Sequence, residues 1–286
     1  MENKVILFAD SSVDLSEELR ERYNVHTLPI HVILDEKVYE DGVDISSQDI
    51  FEHYYKTKQL PKTAAINFED IHCALKPYVE DGYEIVYISI GSALSSSFKN
   101  SCLAAEELNG KVYPVDSCSL SSGAGLLVIE AAERIAKGMS AKQVAEEVSA
   151  LNQKNHASFV LDTLEFMKAG GRCSAVAAFG ANLLGIKPCI KVFNENNGAM
   201  AVSKKYRGKF DKVIFNYIDD TLASYDNIRT DRIFITYSTV ENGLDEKVKK
   251  YLEDKNMFKE IFCTTASGTI SSHCGPNTLG ILFMTE

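Results

Sequence analysis

The sequence lacks the motifs of the common nucleotide-binding folds. No Gly-x-x-x-x-Gly-Lys-Ser/Thr occurs, and no strand-like apolar run is followed by Gly-x-Gly-x-x-Gly. These glycine-rich turns let backbone amides surround phosphates, so their absence leaves an ATP or dinucleotide site without support. We therefore expect a function in which this chain itself binds no nucleotide.

Metal-site and disulfide patterns are also missing. There is no His-Glu-x-x-His, and the six histidines do not pair at ligand spacing. The seven cysteines are odd in number, scattered, and never spaced as Cys-x-x-Cys. We expect mostly buried free thiols, with no metal and no disulfide framework.

Long apolar runs and net positive charge are absent too. No tract of about 18 apolar residues suggests a transmembrane segment, and the first apolar run is too short for a signal peptide. A formal net charge of −10 disfavours broad contact with nucleic acid. The sequence predicts a cytoplasmic protein, in which an anionic ligand needs a locally built site.

What is present is a repeated strand, loop and helix pattern. Apolar runs at 5–9, 85–89 and 112–115 each end in a loop rich in hydroxyls or acids that opens a helix. This repetition predicts an α/β fold with a parallel sheet. A ligand site is then expected at the carboxyl ends of the strands, where loops and helix N-termini meet.

Helix starts and a domain boundary are also readable. Ser46, Asn67 and Ser140 stand where N-caps are expected, and Asp14 with Glu17 has the spacing of a capping box. A polar stretch at 152–156 separates two halves of different character. We predict an N-terminal Rossmann-like α/β domain at 1–155 and a C-terminal mixed α/β domain at 156–286.

One segment, 162–192, combines unusual features. A Gly170-Gly171-Arg172 turn precedes a helix predicted from about 174 to 184 that is rich in small residues. Small side chains let a backbone or a ligand approach closely, so the helix is either a tight joint or the wall of an apolar pocket. The turn can place the forked cation of Arg172 over a carboxylate.

Other candidate groups have two interpretations each. Hydroxyls at Ser92, Ser95 and neighbouring positions can cap helices or bind an anion. His273 lies in what we predict to be a Gly/Pro-marked loop before the last strand. Ser95 with His273 allows an acyl hydrolase as an alternative, although the Gly-x-Ser-x-Gly elbow is absent.

Together these residues resemble the DegV family of bacterial fatty-acid-binding proteins, which includes the binding subunits of fatty acid kinase. The resemblance runs from the first strand to the last and rests on the order of its pieces. These are Ala9-Asp10-Ser11-Ser12-Val13-Asp14-Leu15, Pro61-Lys62-Thr63, the loop at 92–97, Val115-Asp116-Ser117, the segment at 162–192, and His273-Cys274-Gly275-Pro276. The chain departs from the family pattern at Ala64, Ser96 and Asn277.

The resemblance implies a non-catalytic subunit that holds one long-chain fatty acid, such as palmitate, stearate or oleate, between its two domains, with the acyl tail in an apolar tunnel. It implies that Thr63 and Ser95 hold the carboxylate, with Ser92 as a neighbour and Arg172 and His273 nearby. The tunnel wall is then expected at Ala178, Phe179, Leu183 and Ile186. No cofactor is expected.

The implied partner is a separate ATP-dependent kinase subunit that phosphorylates the carboxylate, giving an acyl-phosphate for phospholipid synthesis. Transient membrane contact is compatible with this role. The rival interpretations are the Ser/His acyl hydrolase and a lipid carrier or regulator that has no kinase partner.

Overall fold

The computed structural model describes residues 4–174 and 185–286. The strands are β1 (Val5–Asp10), β2 (Val25–Leu28), β3 (His31–Leu34), β4 (Lys37–Glu40), β5 (Lys62–Ala64), β6 (Glu84–Ser89), β7 (Val112–Asp116), β8 (Asn155–Leu161), β9 (Ile186–Phe193), β10 (Ala199–Arg207), β11 (Arg232–Tyr237), β12 (Glu260–Thr265) and β13 (Thr278–Met284). The α-helices in the described residues are α1 (Glu17–Arg22), α2 (Ser47–Thr57), α3 (Phe68–Glu80), α4 (Ser97–Glu107), α5 (Ser121–Ala136), α6 (Ala141–Ala150), α7 (Glu165–Gly170), α8 (Phe210–Ala223), α9 (Leu244–Asp254) and α10 (Gly268–Cys274).

The predicted parallel sheet is present in the first half of the chain. Its strand order is β2-β1-β6-β7, and all three neighbouring pairs are parallel. Parallel strands end at a common edge, so the polar segments that follow β1, β6 and β7 lie side by side. This edge is where the sequence pattern predicts a ligand.

The second half forms a six-stranded mixed sheet in the order β10-β9-β8-β13-β11-β12. Its pairs are antiparallel except for β11 with β12, which is parallel. A small antiparallel sheet, β4-β3-β5, had not been predicted as a separate unit. The two larger sheets divide near residue 155, and the domain boundary at that point stays a prediction.

The helix caps were predicted with one error. Ser46, Asn67 and Ser140 each accept a backbone N–H three residues later, as predicted. The prediction of a cap at Asp14 is wrong, because Ser16 caps α1 by accepting the Leu19 N–H at 3.3 Å. The Asp14 side chain is buried and points into the protein.

The predicted loop at His273 is also wrong. Residues 268–274 form α10, which Ser267 caps by accepting the Ile270 N–H at 3.3 Å. Gly275 then ends the helix with φ of +78°, a conformation that glycine adopts without steric cost. His273 therefore sits on a helix with a defined orientation.

Helix α5 joins the two larger sheets. It contacts β1 and β6 on one side and β8, β11 and β13 on the other, and its first twelve residues are buried. A Cβ at Gly123 would lie 3.2 Å from the Ala157 Cβ and 3.3 Å from a Leu282 methyl, so the helix rests closely on the mixed sheet. The halves thus share one apolar core. None of the helices in the described part of the chain has the length and apolarity of a membrane span.

Candidate functional site

A central cavity of about 160 Å³ lies between the carboxyl edge of the parallel sheet and one face of the mixed sheet. Its apolar lining includes Ile30, Ile90, Leu94 and Leu120 from segments that follow β2, β6 and β7, and Phe159, Met167, Met200, Ile270 and Leu282 from the second half of the chain. The cavity therefore requires both halves to be folded together.

Strand β13 shows how the sequence builds one wall. Thr278, Gly280 and Leu282 alternate along the strand and line the cavity. Leu279 and Ile281 point to the opposite face and pack in the core beneath α8 and α9. A period-two pattern thus divides one strand between the cavity and a separate core.

Most hydroxyls in the cavity wall are hydrogen-bonded within the protein. Thr236 bonds to Ser122 and, at 3.0 Å, to Thr264. The other wall hydroxyls with internal partners are Ser121 with Asp14, Ser158 with Tyr217, Ser238 with the Gly275 carbonyl, and Thr278 with the Cys274 carbonyl. The hydroxyl of Thr269 is buried and has no partner among the described residues. The wall therefore presents mainly carbon to the cavity.

Polar groups converge at one end of the cavity, which we call the polar end and define by Thr63, Ser95, Arg172 and His273. The Thr63 Oγ1 lies 2.8 Å from the His273 Nε2. Thr63 comes from β5, which pairs with β3, and His273 comes from α10, which packs against both strands. Tertiary packing thus joins two residues that are 210 positions apart.

His273 is neutral over the physiological pH range. Burial, together with the nearby Arg172 cation, lowers the pKa of His273 to about 4. A neutral imidazole carries one N–H donor and one acceptor nitrogen. In this state His273 contributes a hydrogen bond to the polar end and no charge.

Arg172 supplies the cation of the polar end. Gly171 adopts φ of +67° and ends α7, so the chain turns back and brings Arg172 against the loop at 92–97. The guanidinium donates to the Gly170 carbonyl at 2.7 Å and to the Leu94 carbonyl at 3.4 Å. These contacts hold an exposed cation beside the cavity.

Of the remaining predicted site residues that the structure describes, Ser95 lines the cavity and two others do not. Ser95 lines the cavity, and its Oγ accepts the Ser97 N–H at 3.2 Å at the start of α4. Ser92 is exposed and lies outside the cavity lining, as does Ile186 at the start of β9. Ala178, Phe179 and Leu183 fall outside the described residues.

Buried acids that were not predicted as site residues position α10. Asp41 accepts the N–H groups of Gly268 at 2.7 Å and of Thr269 at 3.1 Å, and Asp14 accepts the Ser267 N–H at 2.9 Å. These carboxylates bind the helix end at which free N–H groups point outward. Asp14 belongs to a recognisable motif, but nothing in the local sequence links Asp41 to a helix 227 residues away.

Asp10 performs a similar role for the loop at 92–97, which carries Ser95 and is called the serine loop below. Its carboxylate accepts the Tyr87 hydroxyl at 2.7 Å and the Ile90 N–H at 2.9 Å. Ile90 directly precedes the loop that carries Ser95. The two acids of the Asp10-Ser11-Ser12-Val13-Asp14 motif thus hold the serine loop and the His273 helix.

The buried Asp14 carboxyl gives a pH prediction. Burial is the main cause that raises its pKa to about 7, and the facing Asp41 adds to the shift, while bonds from Ser121 and Ser267 oppose it. Proton uptake stabilises the fold at low pH, and this stabilisation is lost as the pH rises through about 7. When the pH is lowered from about 8 to about 6, we expect the free energy of unfolding of wild type to rise by about 1.4 kcal/mol relative to that of Asp14→Asn, as measured by urea unfolding.

The comparison with the variant isolates Asp14, because the pKa changes at Asp10, His156 and His273 are common to both proteins. Asp49→Asn is the control. Hydrogen bonds from Ser46 lower the pKa of Asp49, so this carboxylate stays ionised between about pH 6 and about pH 8. The difference in free energy of unfolding between Asp49→Asn and wild type should therefore be constant over this range. An equally constant difference for Asp14→Asn would show that Asp14 does not titrate there.

Among the described residues, no cluster of three or more His, Cys, Asp or Glu side chains is arranged to hold a metal ion. The site consists of an apolar cavity, shared between two α/β halves, with hydroxyls, a neutral imidazole and one guanidinium at one end. An apolar cavity with such a polar end has the chemistry of a binding site for an apolar ligand that carries an anionic group.

Comparison with known proteins gives the family. The family model for DegV, described as an uncharacterised protein family, matches residues 4–286, and the chain belongs to that family. A DegV domain-containing protein of Clostridium acetobutylicum is 27% identical over 285 residues, which cover 99% of both chains.

Solved structures agree with the two-part α/β fold. A fatty-acid-binding DegV family protein from Thermus thermophilus superposes with a TM-score of 0.90 at 27% identity, covering 99% of this chain and 100% of that one. DegV of Bacillus subtilis, described as a fatty acid binding protein, has a TM-score of 0.83 at 21% identity and covers 99% of each chain. At that lower identity, the second comparison supports the fold alone.

Proposed function

We propose that this protein binds one long-chain fatty acid in the central cavity and presents its carboxylate to a separate ATP-dependent kinase subunit. The observation that carries the proposal is the one-sided polarity of the cavity. Most of the lining is apolar, whereas Thr63, Ser95, the Arg172 guanidinium and the His273 imidazole meet at one end. The related protein from Thermus thermophilus, which is described as binding fatty acid, supports the same ligand class.

The acyl tail supplies most of the affinity. Burying a chain of ~16 carbons at about 0.8 kcal/mol per CH₂ contributes on the order of 10 kcal/mol before association costs. The carboxylate loses water on entry, and an unpaired buried charge would cost several kcal/mol. The Thr63 and Ser95 hydroxyls and the Arg172 cation offset that cost and set the ligand's orientation.

The position of the polar end supports presentation to a second protein. Arg172 and Ser96 line the cavity and are both exposed to solvent. A carboxylate held beside them would lie near the surface, with the tail directed inward. A kinase subunit could then transfer phosphate to the carboxylate without extracting the acyl chain, and the acyl-phosphate would enter phospholipid synthesis in the bacterial cytoplasm.

The geometry argues against the acyl hydrolase. A Ser/His mechanism needs the base bonded to the nucleophile and oriented by a third group. The His273 Nε2 bonds to Thr63, and its Nδ1 has no hydrogen-bond partner among the described residues. The Ser95 hydroxyl is engaged with Ser97. Ester hydrolysis that disappears in Ser95→Ala would overturn our assignment of a non-catalytic role.

Native mass spectrometry of the purified protein, followed by lipid extraction, tests the binding proposal. We expect one fatty acid per chain, and a protein that neither copurifies with fatty acid nor binds it on titration would contradict the proposal. Phosphoryl transfer is tested by adding ATP and a kinase subunit encoded in the same genome. Binding without any acyl-phosphate formation would instead indicate a carrier or regulator.

Thr63→Val is expected to weaken fatty acid binding by roughly tenfold to a hundredfold, because a hydrogen bond to a charged group contributes about 1.5–3 kcal/mol. Valine keeps the shape of threonine and removes only the hydroxyl. The measurement is a titration of the delipidated protein with a fatty acid and with the fatty alcohol of equal length.

Thr63→Ser is the matched control, since it keeps the hydroxyl and should retain most of the affinity. Thr63→Val should reduce the affinity for the fatty alcohol less than it reduces the affinity for the fatty acid. If Thr63→Val binds the acid as tightly as wild type, Thr63 does not contact the carboxylate.

A further inference from the structure

Gly170 touches the imidazole of His273 on the side away from Thr63. A Cβ built at Gly170 would lie 2.2 Å from the His273 Nδ1, far inside contact distance. The glycine hydrogen that takes the place of that Cβ therefore points at Nδ1. This nitrogen is buried and has no hydrogen-bond partner among the described residues.

This contact distinguishes the two neutral forms of the ring. A proton on Nδ1 would face the glycine hydrogen and would find no acceptor, leaving a buried donor unsatisfied. An unprotonated Nδ1 instead directs its lone pair at the glycine C–H, which is a weak but favourable contact. The packing therefore favours a proton on Nε2.

The opposite side of the ring leads to the same assignment. The His273 Nε2 and the Thr63 Oγ1 are 2.8 Å apart, so one of them donates to the other. An ionised carboxylate only accepts hydrogen bonds, so a threonine hydroxyl that binds it must direct its proton toward the ligand. The hydroxyl oxygen is then left to accept from His273, which requires the proton on Nε2.

We propose that Gly170 is a positioning residue that holds His273 as the Nε2–H tautomer, so that Thr63 is oriented as a hydrogen-bond donor toward the head group. The order of donation is then from the His273 Nε2–H to the Thr63 oxygen, and from the Thr63 O–H to the ligand. The second step rests on the proposed fatty acid function, whereas the tautomer is a property of the free protein.

Two further features support this arrangement. Arg172 donates to the Gly170 carbonyl at 2.7 Å, so a single glycine contacts both the cation and the imidazole of the polar end. Arg172 also opposes protonation of the ring, whose pKa is lowered to about 4. The ring therefore keeps a single proton at neutral pH, and its placement is decided by packing.

The tautomer can be measured directly. In the delipidated protein labelled with ¹⁵N-histidine, two-bond ¹H–¹⁵N correlation spectra distinguish a protonated from an unprotonated ring nitrogen, and His273→Gln identifies the His273 signals. We expect a protonated Nε2 and an unprotonated Nδ1. A protonated Nδ1 in the wild-type protein would overturn the proposal.

Gly170→Ala tests the role of the glycine. The added methyl must displace the ring, so we expect the His273 pattern to change and fatty acid affinity to fall by about tenfold. Ile218→Ala is the control, because Ile218 is fully buried in the core on the far face of the mixed sheet and lies outside the cavity lining. It should destabilise the fold while keeping the His273 pattern, and an unchanged pattern in Gly170→Ala would contradict the proposal.

The tautomer measurement and the binding measurement test separate proposals, and each can refute one without the other. A protein that shows the Nε2–H form but binds no fatty acid would refute the proposed function and keep the tautomer assignment. A protein that binds fatty acid while His273 carries its proton on Nδ1 would refute the positioning role of Gly170 alone.

Discussion

Glu130→Ala is expected to lower the free energy of unfolding by about 3–5 kcal/mol, because it removes two charge-assisted hydrogen bonds at a buried site and leaves Arg134 and Arg229 with only Glu147 and Asp231 as acidic partners. Glu130 is 4% exposed and accepts from Arg134 at 2.8 Å and from Arg229 at 2.7 Å. Burial alone would raise the pKa of Glu130, but the bonds from the two guanidinium groups outweigh it and lower the pKa. The residue links α5 to the segment before β11, and so joins the two halves.

Urea unfolding measured in parallel for wild type and variant tests this expectation. Glu147→Ala is the matched control, since Glu147 also accepts from Arg134 but is about half exposed. An exposed pair contributes about 0–1 kcal/mol, so the control should change stability little. Similar losses in both variants would show that burial of Glu130 does not determine its effect.

Phe166→Ala is expected to cost about 3–5 kcal/mol of stability and to weaken fatty acid binding as well. Phe166 is 1% exposed, and its ring packs edge-on against Phe51 and Tyr54 of α2. A Cβ at Gly275 would lie 2.9 Å from this ring, so Phe166 also rests on the end of α10. The side chain thus packs α7, which leads to Arg172, against α2 and against the end of α10, which carries His273.

Ile218→Ala separates the effect on binding from the effect on stability. Ile218 is fully buried on α8 in the core on the far face of the mixed sheet, and its truncation should cost about 2–5 kcal/mol. Measured well below both unfolding transitions, fatty acid affinity should fall by about tenfold in Phe166→Ala and stay unchanged in Ile218→Ala. Equal affinities in the two variants would restrict Phe166 to a general packing role.

The local features of the fold were readable from the sequence. Apolar runs predicted β1, β6 and β7, and hydroxyl or amide side chains predicted the caps of α2, α3 and α6. These signals are local, because an N-cap needs only a side-chain oxygen and a backbone N–H a few residues away. The same reasoning failed at Asp14, whose carboxylate binds the distant Ser267 N–H.

The sequence did not indicate which sheet each strand joins. Only two residues separate β2 from β3, yet β2 joins the parallel sheet and β3 joins the small antiparallel sheet. The pairing of a strand is decided by contacts between segments far apart in sequence, which a periodic pattern does not encode. Likewise, Gly275 and Pro276 indicated a loop around His273, but Ser267 and the distant Asp41 hold this stretch as a helix.

The class of the fold, the caps of α2, α3 and α6, and the residue types available for an anionic head group follow from the amino-acid sequence alone. Tertiary structure decided which of them meet. It placed Thr63 against His273, brought Gly170 onto the imidazole, and left Ser92 outside the cavity. Backbone propensity and capping act within one or two turns, whereas the cavity is closed by packing between β5, α7, α10, the carboxyl edge of the parallel sheet and one face of the mixed sheet.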